Sequence, residues 1–104
     1  MAESTRPSDV YRNAAPRLSE LTQSVLAETW ARPQLSKRDR CLITCAVLTE
    51  MYRPEQLRFH FQRALDTGVT QEELGEVISH VAFYSGWPAA VSAAMVAKEM
   101  FEES

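Results

Sequence analysis

Two imidazoles, a few arginines and one carboxylate, imidazole and phenol in helical register are the groups in this sequence that offer chemistry. His80 lies one turn after Glu76 and one turn before Tyr84, so a helix through them sets all three on one face. His60 is the second imidazole, and either ring donates a hydrogen bond or a proton near neutral pH. Arg53, directly before Pro54, can pair with Arg58 or Arg40 to clamp a carboxylate in bidentate fashion. Glu50 ends an apolar run, and Trp87 stands between Gly86 and Pro88, positions suited to the rim and the wall of a pocket. The set fits acid–base work on a small anionic molecule. Each member also has a plain structural reading: a satisfied histidine at a helix interface, a solvated surface arginine, an exposed end-of-helix charge, a core or interface tryptophan. The sequence leaves both readings open.

Other chemistries lack their residues. The two histidines stand twenty apart with no H-E-x-x-H motif, so no metal site is expected. Only three glycines occur and no two are close, which disfavours a phosphate loop or nucleotide cofactor. Cys41 and Cys45 are four residues apart in one apolar run, awkward for bridging each other, and read as buried free thiols.

The elements that must position these groups follow from composition and period. A chain of 104 residues and 11.8 kDa has room for one core. Its 45% hydrophobic and 24% charged residues are those of a folding domain. A net charge of −3 disfavours nucleic acid and polybasic membrane contact. The uncharged stretch Val77–Ala97 is broken by Gly86-Trp87-Pro88, so it reads as two buried helices rather than a membrane span. The first ten residues, MAESTRPSDV, have no apolar leader, and a cytoplasmic protein is expected.

No strand-like alternation or hairpin turn signal appears, so the fold class is all-α: a compact bundle of about five helices. Residues 1–15 read as a flexible N-terminal arm and 16–104 as one helical domain. Helix one runs from Pro16 to Trp30 on the stripe Leu18, Leu21, Val25 and Leu26. Helix two, about 37–52, starts at Ser36 with Asp39 three residues on; being apolar nearly all round, it reads as a central helix covered on most sides. Helix three runs from Pro54 to a left-handed stop at Gly68. Thr70 with Glu73 makes a capping box for helix four, Gly86 interrupts it, and Pro88 restarts the chain as an alanine-lined helix five.

Four stretches stand out: Trp30-Ala31-Arg32-Pro33 leading into Leu35-Ser36-Lys37-Arg38-Asp39-Arg40; Glu55-Gln56-Leu57-Arg58-Phe59-His60; Ala64 to Thr70 with Glu72-Glu73; and Tyr84-Ser85-Gly86-Trp87-Pro88-Ala89-Ala90. In order and at their spacing they resemble the carboxymuconolactone decarboxylase family within the wider alkylhydroperoxidase D-like superfamily. The resemblance covers about residues 26–102 and implies a helical subunit that assembles into homotrimers or homohexamers, with sites near subunit contacts. The surplus of apolar surface in so small a chain points the same way. The superfamily's peroxidases carry a Glu, then Cys-x-x-Cys, then a His four residues on; here Cys41 stands for the Glu, Arg53 and Gln56 for the two Cys, and only His60 remains. That disfavours thiol-peroxidase activity.

The decarboxylase branch, by the same resemblance, uses no cofactor. Its substrate would be γ-carboxymuconolactone, a small acidic lactone from aromatic catabolism (protocatechuate branch), or a related acid. As carbon dioxide leaves, its bonding electrons flow through the ring double bond to the lactone carbonyl as a dienolate, which is then protonated to an enol-lactone. Such a reaction needs an oxyanion donor, a proton donor and cations for the carboxylates. The resemblance implies His60 as oxyanion or proton donor, His80 or Tyr84 as the second polar group, and Arg53 as the leading anchor, with Glu50, Arg58 and Trp87 around the substrate. Tyr52-Arg53 stands where relatives often have Gly-Arg, a departure that also admits a non-catalytic small-molecule-binding oligomer.

Overall fold

The computed structural model describes residues 10–103, and every regular element among them is a helix. The expectation of an all-α chain with about five helices is met. The chain separates into two units between Leu35 and Ser36. No helix among the described residues is long and apolar enough to cross a membrane. Residues 1–9 of the expected arm lie outside the described residues.

In the first unit, Tyr11 to Ala15 form a turn closed by Ala15 N–H on the Tyr11 carbonyl at 2.8 Å. The Tyr11 and Thr22 hydroxyls share a hydrogen bond of 2.5 Å. Pro16 then opens α1 (Pro16–Leu21), which passes through a π-helical segment (Thr22–Leu26) into α2 (Ala27–Ala31). Sequence period predicts one regular helix here, and the π segment departs from it. Thr22, Ser24 and Thr29 each donate a side-chain hydrogen bond to the carbonyl four residues back, at 2.9 Å, and such back-bonding competes for the helical ladder. Leu18, Leu21, Val25 and Leu26 are all exposed.

The second unit is four helices: α3 (Lys37–Met51), α4 (Pro54–Asp66), α5 (Gln71–Ser85) and α6 (Trp87–Glu103). Ser36 caps α3 by accepting from Asp39 N–H at 3.0 Å. Thr70 and Glu73 close a full capping box at the start of α5, as their spacing predicts. Arg38 reaches from α3 to the same Glu73 carboxylate, tying two helix starts together. The capping bond from Thr70 N–H and then Arg38 hold Glu73 below the usual carboxylate range. Gly68, at φ +101°, ends α4 in a Schellman turn, with Val69 N–H on the Ala64 carbonyl at 3.0 Å and Gly68 N–H on Leu65 at 3.2 Å.

Within this unit α3 packs against α4, α5 and α6, most extensively against α4. Its buried stripe is Cys41, Cys45 and Thr49, facing a core that includes Leu57, Phe61, Leu74 and the alanines Ala64, Ala90, Ala93 and Ala97. Thr49 satisfies its buried hydroxyl on the Cys45 carbonyl at 2.7 Å. The expectation that α3 is covered on most sides needs correction: Ile43 is 51% and Val47 48% exposed, with Met51 beside them. Three neighbours lie on one half of its circumference, and the other half stays open.

The α3 to α4 junction carries the chain's backbone anomaly. Tyr52 adopts φ 61° and ψ 57°, and is the sole non-glycine residue with positive φ among the described residues. It occupies the C′ place of a Schellman turn, with Tyr52 N–H on Thr49 and Arg53 N–H on Leu48, both 3.2 Å. A left-handed residue with a Cβ costs about 1–2 kcal/mol, of which glycine's larger chain entropy would return about half. Tyr52→Gly is expected to raise stability by about 0.5–1 kcal/mol, and Tyr52→Ala to give no gain. Urea unfolding monitored by circular dichroism, at unchanged m-value, measures both.

Candidate active site

An open groove of about 670 Å³ runs between α3 and α5. Leu42, Ile43 and Ala46 form one wall; Val77, Val81 and Phe83 form the other, with Glu76, Ser79 and His80 as its polar members. The helical register of α5 places these polar groups: Glu76 and His80 are one turn apart on the face turned toward α3. The groove thus joins a carboxylate and an imidazole to an apolar floor, and no Arg or Lys lines it.

The other sequence-derived candidates lie elsewhere. Tyr84 stacks on His80 with ring centroids 5.3 Å apart and a tilt of 33°, but is 81% exposed and outside the groove lining. Phe83 stands edge-on to Trp87 at 5.4 Å, and Trp87, the first residue of α6, is exposed. Arg53 donates to the Met51 carbonyl at 3.3 Å and borders a small cleft with Thr49, Leu57, Ala89 and Ser92. Glu50 is exposed on the last turn of α3. Arg58 is engaged by Glu99 and, at 3.7 Å, by Glu103, which fastens α4 to α6.

His60 is half-buried on α4 beside Phe59, whose ring meets it edge-on at 5.1 Å. It does not line the groove. Desolvation, and then the positive charge of Arg63, push its pKa below the ordinary 6.5. The groove walls Leu42, Ile43, Ala46 and Val77 escaped the sequence reading because apolar helical positions look the same whether they face a core or a cleft. Phe83, three residues after His80, was the one available signal, since that spacing shares a face.

The thiols have no such access. Cys41 and Cys45 are fully buried, and Thr67 donates its hydroxyl to the Cys41 sulfur at 3.6 Å. Burial, with Cys41 alongside, pushes the Cys45 thiol up to about 12, where almost no thiolate exists at neutral pH.

The sequence model of the carboxymuconolactone decarboxylase family matches residues 16–99. The chain belongs to the carboxymuconolactone decarboxylase family. The resemblance carried by the four sequence stretches is borne out. Within the family, the chain is 41% identical over 76 residues to the 4-carboxymuconolactone decarboxylase of Acinetobacter baylyi, an alignment that covers 73% of this chain and 57% of that one. It is 28% identical over 99 residues to the nitrosuccinic acid decarboxylase npaB of Metarhizium robertsii, covering 91% and 69% respectively. This chain therefore spans little more than half the length of the first relative.

Two expected outcomes follow from the burial of these groups. A thiol reagent at pH 8 should leave the native chain unlabelled and modify both cysteines only after denaturation; labelling of the native chain at the rate of a free thiol would contradict their burial. By NMR, the His60 ring should titrate with a midpoint below 6.5, and Arg63→Gln should raise that midpoint without restoring the ordinary value, because desolvation is the larger cause.

Proposed function

We propose that this chain is a cofactor-independent decarboxylase acting on a small acid whose departing carboxylate is attached to a carbon joined to an electron sink. The reading rests on family membership, and the observation that carries it is the α3/α5 groove, which sets His80 and Glu76 against an apolar wall. In γ-carboxymuconolactone the sink is the conjugated lactone carbonyl. In nitrosuccinic acid it is the nitro group on the same carbon as the departing carboxylate, which takes up the electrons as a nitronate. Both reactions break one carbon–carbon bond, release carbon dioxide and return a proton to carbon, so one proton donor and one oxyanion donor serve either.

In this reading the departing carboxylate lies on the apolar wall of Leu42, Ile43 and Ala46, where its hydration is poorest and its neutral product is favoured. His80 donates to the growing oxyanion or delivers the proton, and Glu76, one turn away, is placed to take part in the proton's return. His60 lies outside the groove, so the donor role that the resemblance implies for it is not part of this reading. Arg53 borders the small cleft and not this groove, so as the anchor of the retained carboxylate it would act from a neighbouring subunit. Homotrimeric or homohexameric assembly belongs to the same proposal. The lactone is favoured over nitrosuccinic acid by the higher identity to its decarboxylase.

Incubation with γ-carboxymuconolactone, following carbon dioxide and the enol-lactone, tests the reading directly. His80→Ala is expected to lower kcat by about 10²–10³, while Arg53→Ala should chiefly raise KM. Turnover with His80→Ala at the wild-type rate would reject the groove as the site. Turnover of nitrosuccinic acid alone would keep the chemistry and change the substrate.

A further inference from the structure

His80 is the one imidazole that lines the groove, and among the described residues neither of its ring nitrogens takes part in a hydrogen bond or an ion pair. Its recorded partner is a ring: Tyr84, one helical turn on, lies against it with centroids 5.3 Å apart and planes tilted by 33°, a spacing at which aromatic pairs attract. The Tyr84 hydroxyl has no hydrogen-bond partner among the described residues either, and Tyr84 stands outside the groove lining. What Tyr84 offers the groove is therefore the face of its ring. A hydrogen-bonding neighbour would orient an imidazole by engaging one nitrogen and fixing the tautomer. A stacked ring holds it by the face and leaves both nitrogens, which lie in the ring plane, open to other partners. Without such a neighbour, an exposed side chain like His80 changes rotamer in picoseconds to nanoseconds.

We infer that Tyr84, in the decarboxylase reading on which this rests, is a positioning residue: its ring holds the His80 imidazole in the orientation that serves the groove, and its hydroxyl takes no part in the reaction. One nitrogen of a ring so held can donate to the growing oxyanion while the second stays available to exchange the proton, and no existing hydrogen bond has to break first. Such donors work only when held close to their productive geometry. The phenol has a separate use at a position 81% exposed, where it keeps the far end of the ring hydrated while the near face stays against the imidazole. The in-line spacing of Glu76, His80 and Tyr84 thus joins two polar groups of the groove to a support behind them.

Steady-state kinetics with γ-carboxymuconolactone and NMR of the two histidines test this on the full chain. Tyr84→Leu, at an exposed position that leaves the core intact, should lower kcat about 2- to 10-fold, the range that one aromatic pair can hold. KM should change little, and the His80 ring protons should lose the upfield shift that the Tyr84 ring gives them. Tyr84→Phe keeps the ring and should recover most of both losses. In a His80→Ala background, Tyr84→Leu should cost nothing more, because its effect passes through the imidazole. His60, whose ring contact is with Phe59, is the control whose signals stay in place. Tyr84→Leu at the wild-type kcat would overturn the assignment, as would a loss that persists without His80. Tyr84→Phe as slow as Tyr84→Leu would overturn it too and return the hydroxyl to the chemistry. If the wild type turns over neither this lactone nor nitrosuccinic acid, or if His80→Ala reacts at the wild-type rate, the decarboxylase reading of the groove fails by itself. The NMR comparison then decides the orientation alone: His80 signals that move in Tyr84→Leu and return in Tyr84→Phe uphold it, and unmoved signals overturn it.

Discussion

The second unit depends on one packing constraint: α3 must approach three helices at once, and small side chains make that possible. Cys41, Cys45 and Thr49 are slim enough for neighbouring backbones to come close, and Ala64, Ala90, Ala93 and Ala97 answer them from α4 and α6. Phe61, Leu57 and Leu74 fill the volume that small residues leave. Close-packed interiors punish either error, so enlarging a cysteine would push helices apart and trimming Phe61 would leave a void. The same constraint settles the fate of the thiols. They act as small apolar spacers, and the same burial holds the Cys45 thiol far from its thiolate at neutral pH.

With α3 committed on one side, its remaining circumference has to do something else. The sequence makes that helix apolar nearly all round, while the unit offers neighbours for only half of it. The exposed half divides between the groove, where Leu42, Ile43 and Ala46 face α5, and the outer stripe that includes Val47. The proposed site and the exposed stripe are thus adjoining parts of one helix surface. No cation lines the groove, so the dianionic lactone proposed as substrate would need positive charge from beyond these two helices.

Much of the fold was legible because its signals are local. Pro54, Gly68 and the Thr70 and Glu73 pair act within a few residues of themselves, and each does in the structure what its chemistry dictates. The π segment at Thr22–Leu26 was not legible, because hydroxyl back-bonding leaves the apolar period unchanged. The site was legible only in part. Helical spacing placed Glu76 and His80 on one face, but which face borders a cleft is a property of tertiary packing. Arg58 illustrates the difficulty: its sequence position suits an anchor, yet Glu99 and Glu103, more than forty residues on, engage it.

The connections of the four-helix unit are very short: Tyr52 and Arg53, then 67–70, then Gly86 alone. None can swing across the groove as a lid. In the proposed reading a substrate between α3 and α5 meets walls whose shape is set by helix packing, and its binding orders none of these three connections. If the groove is the proposed site, these three connections contribute no flap that must open and close between binding and release.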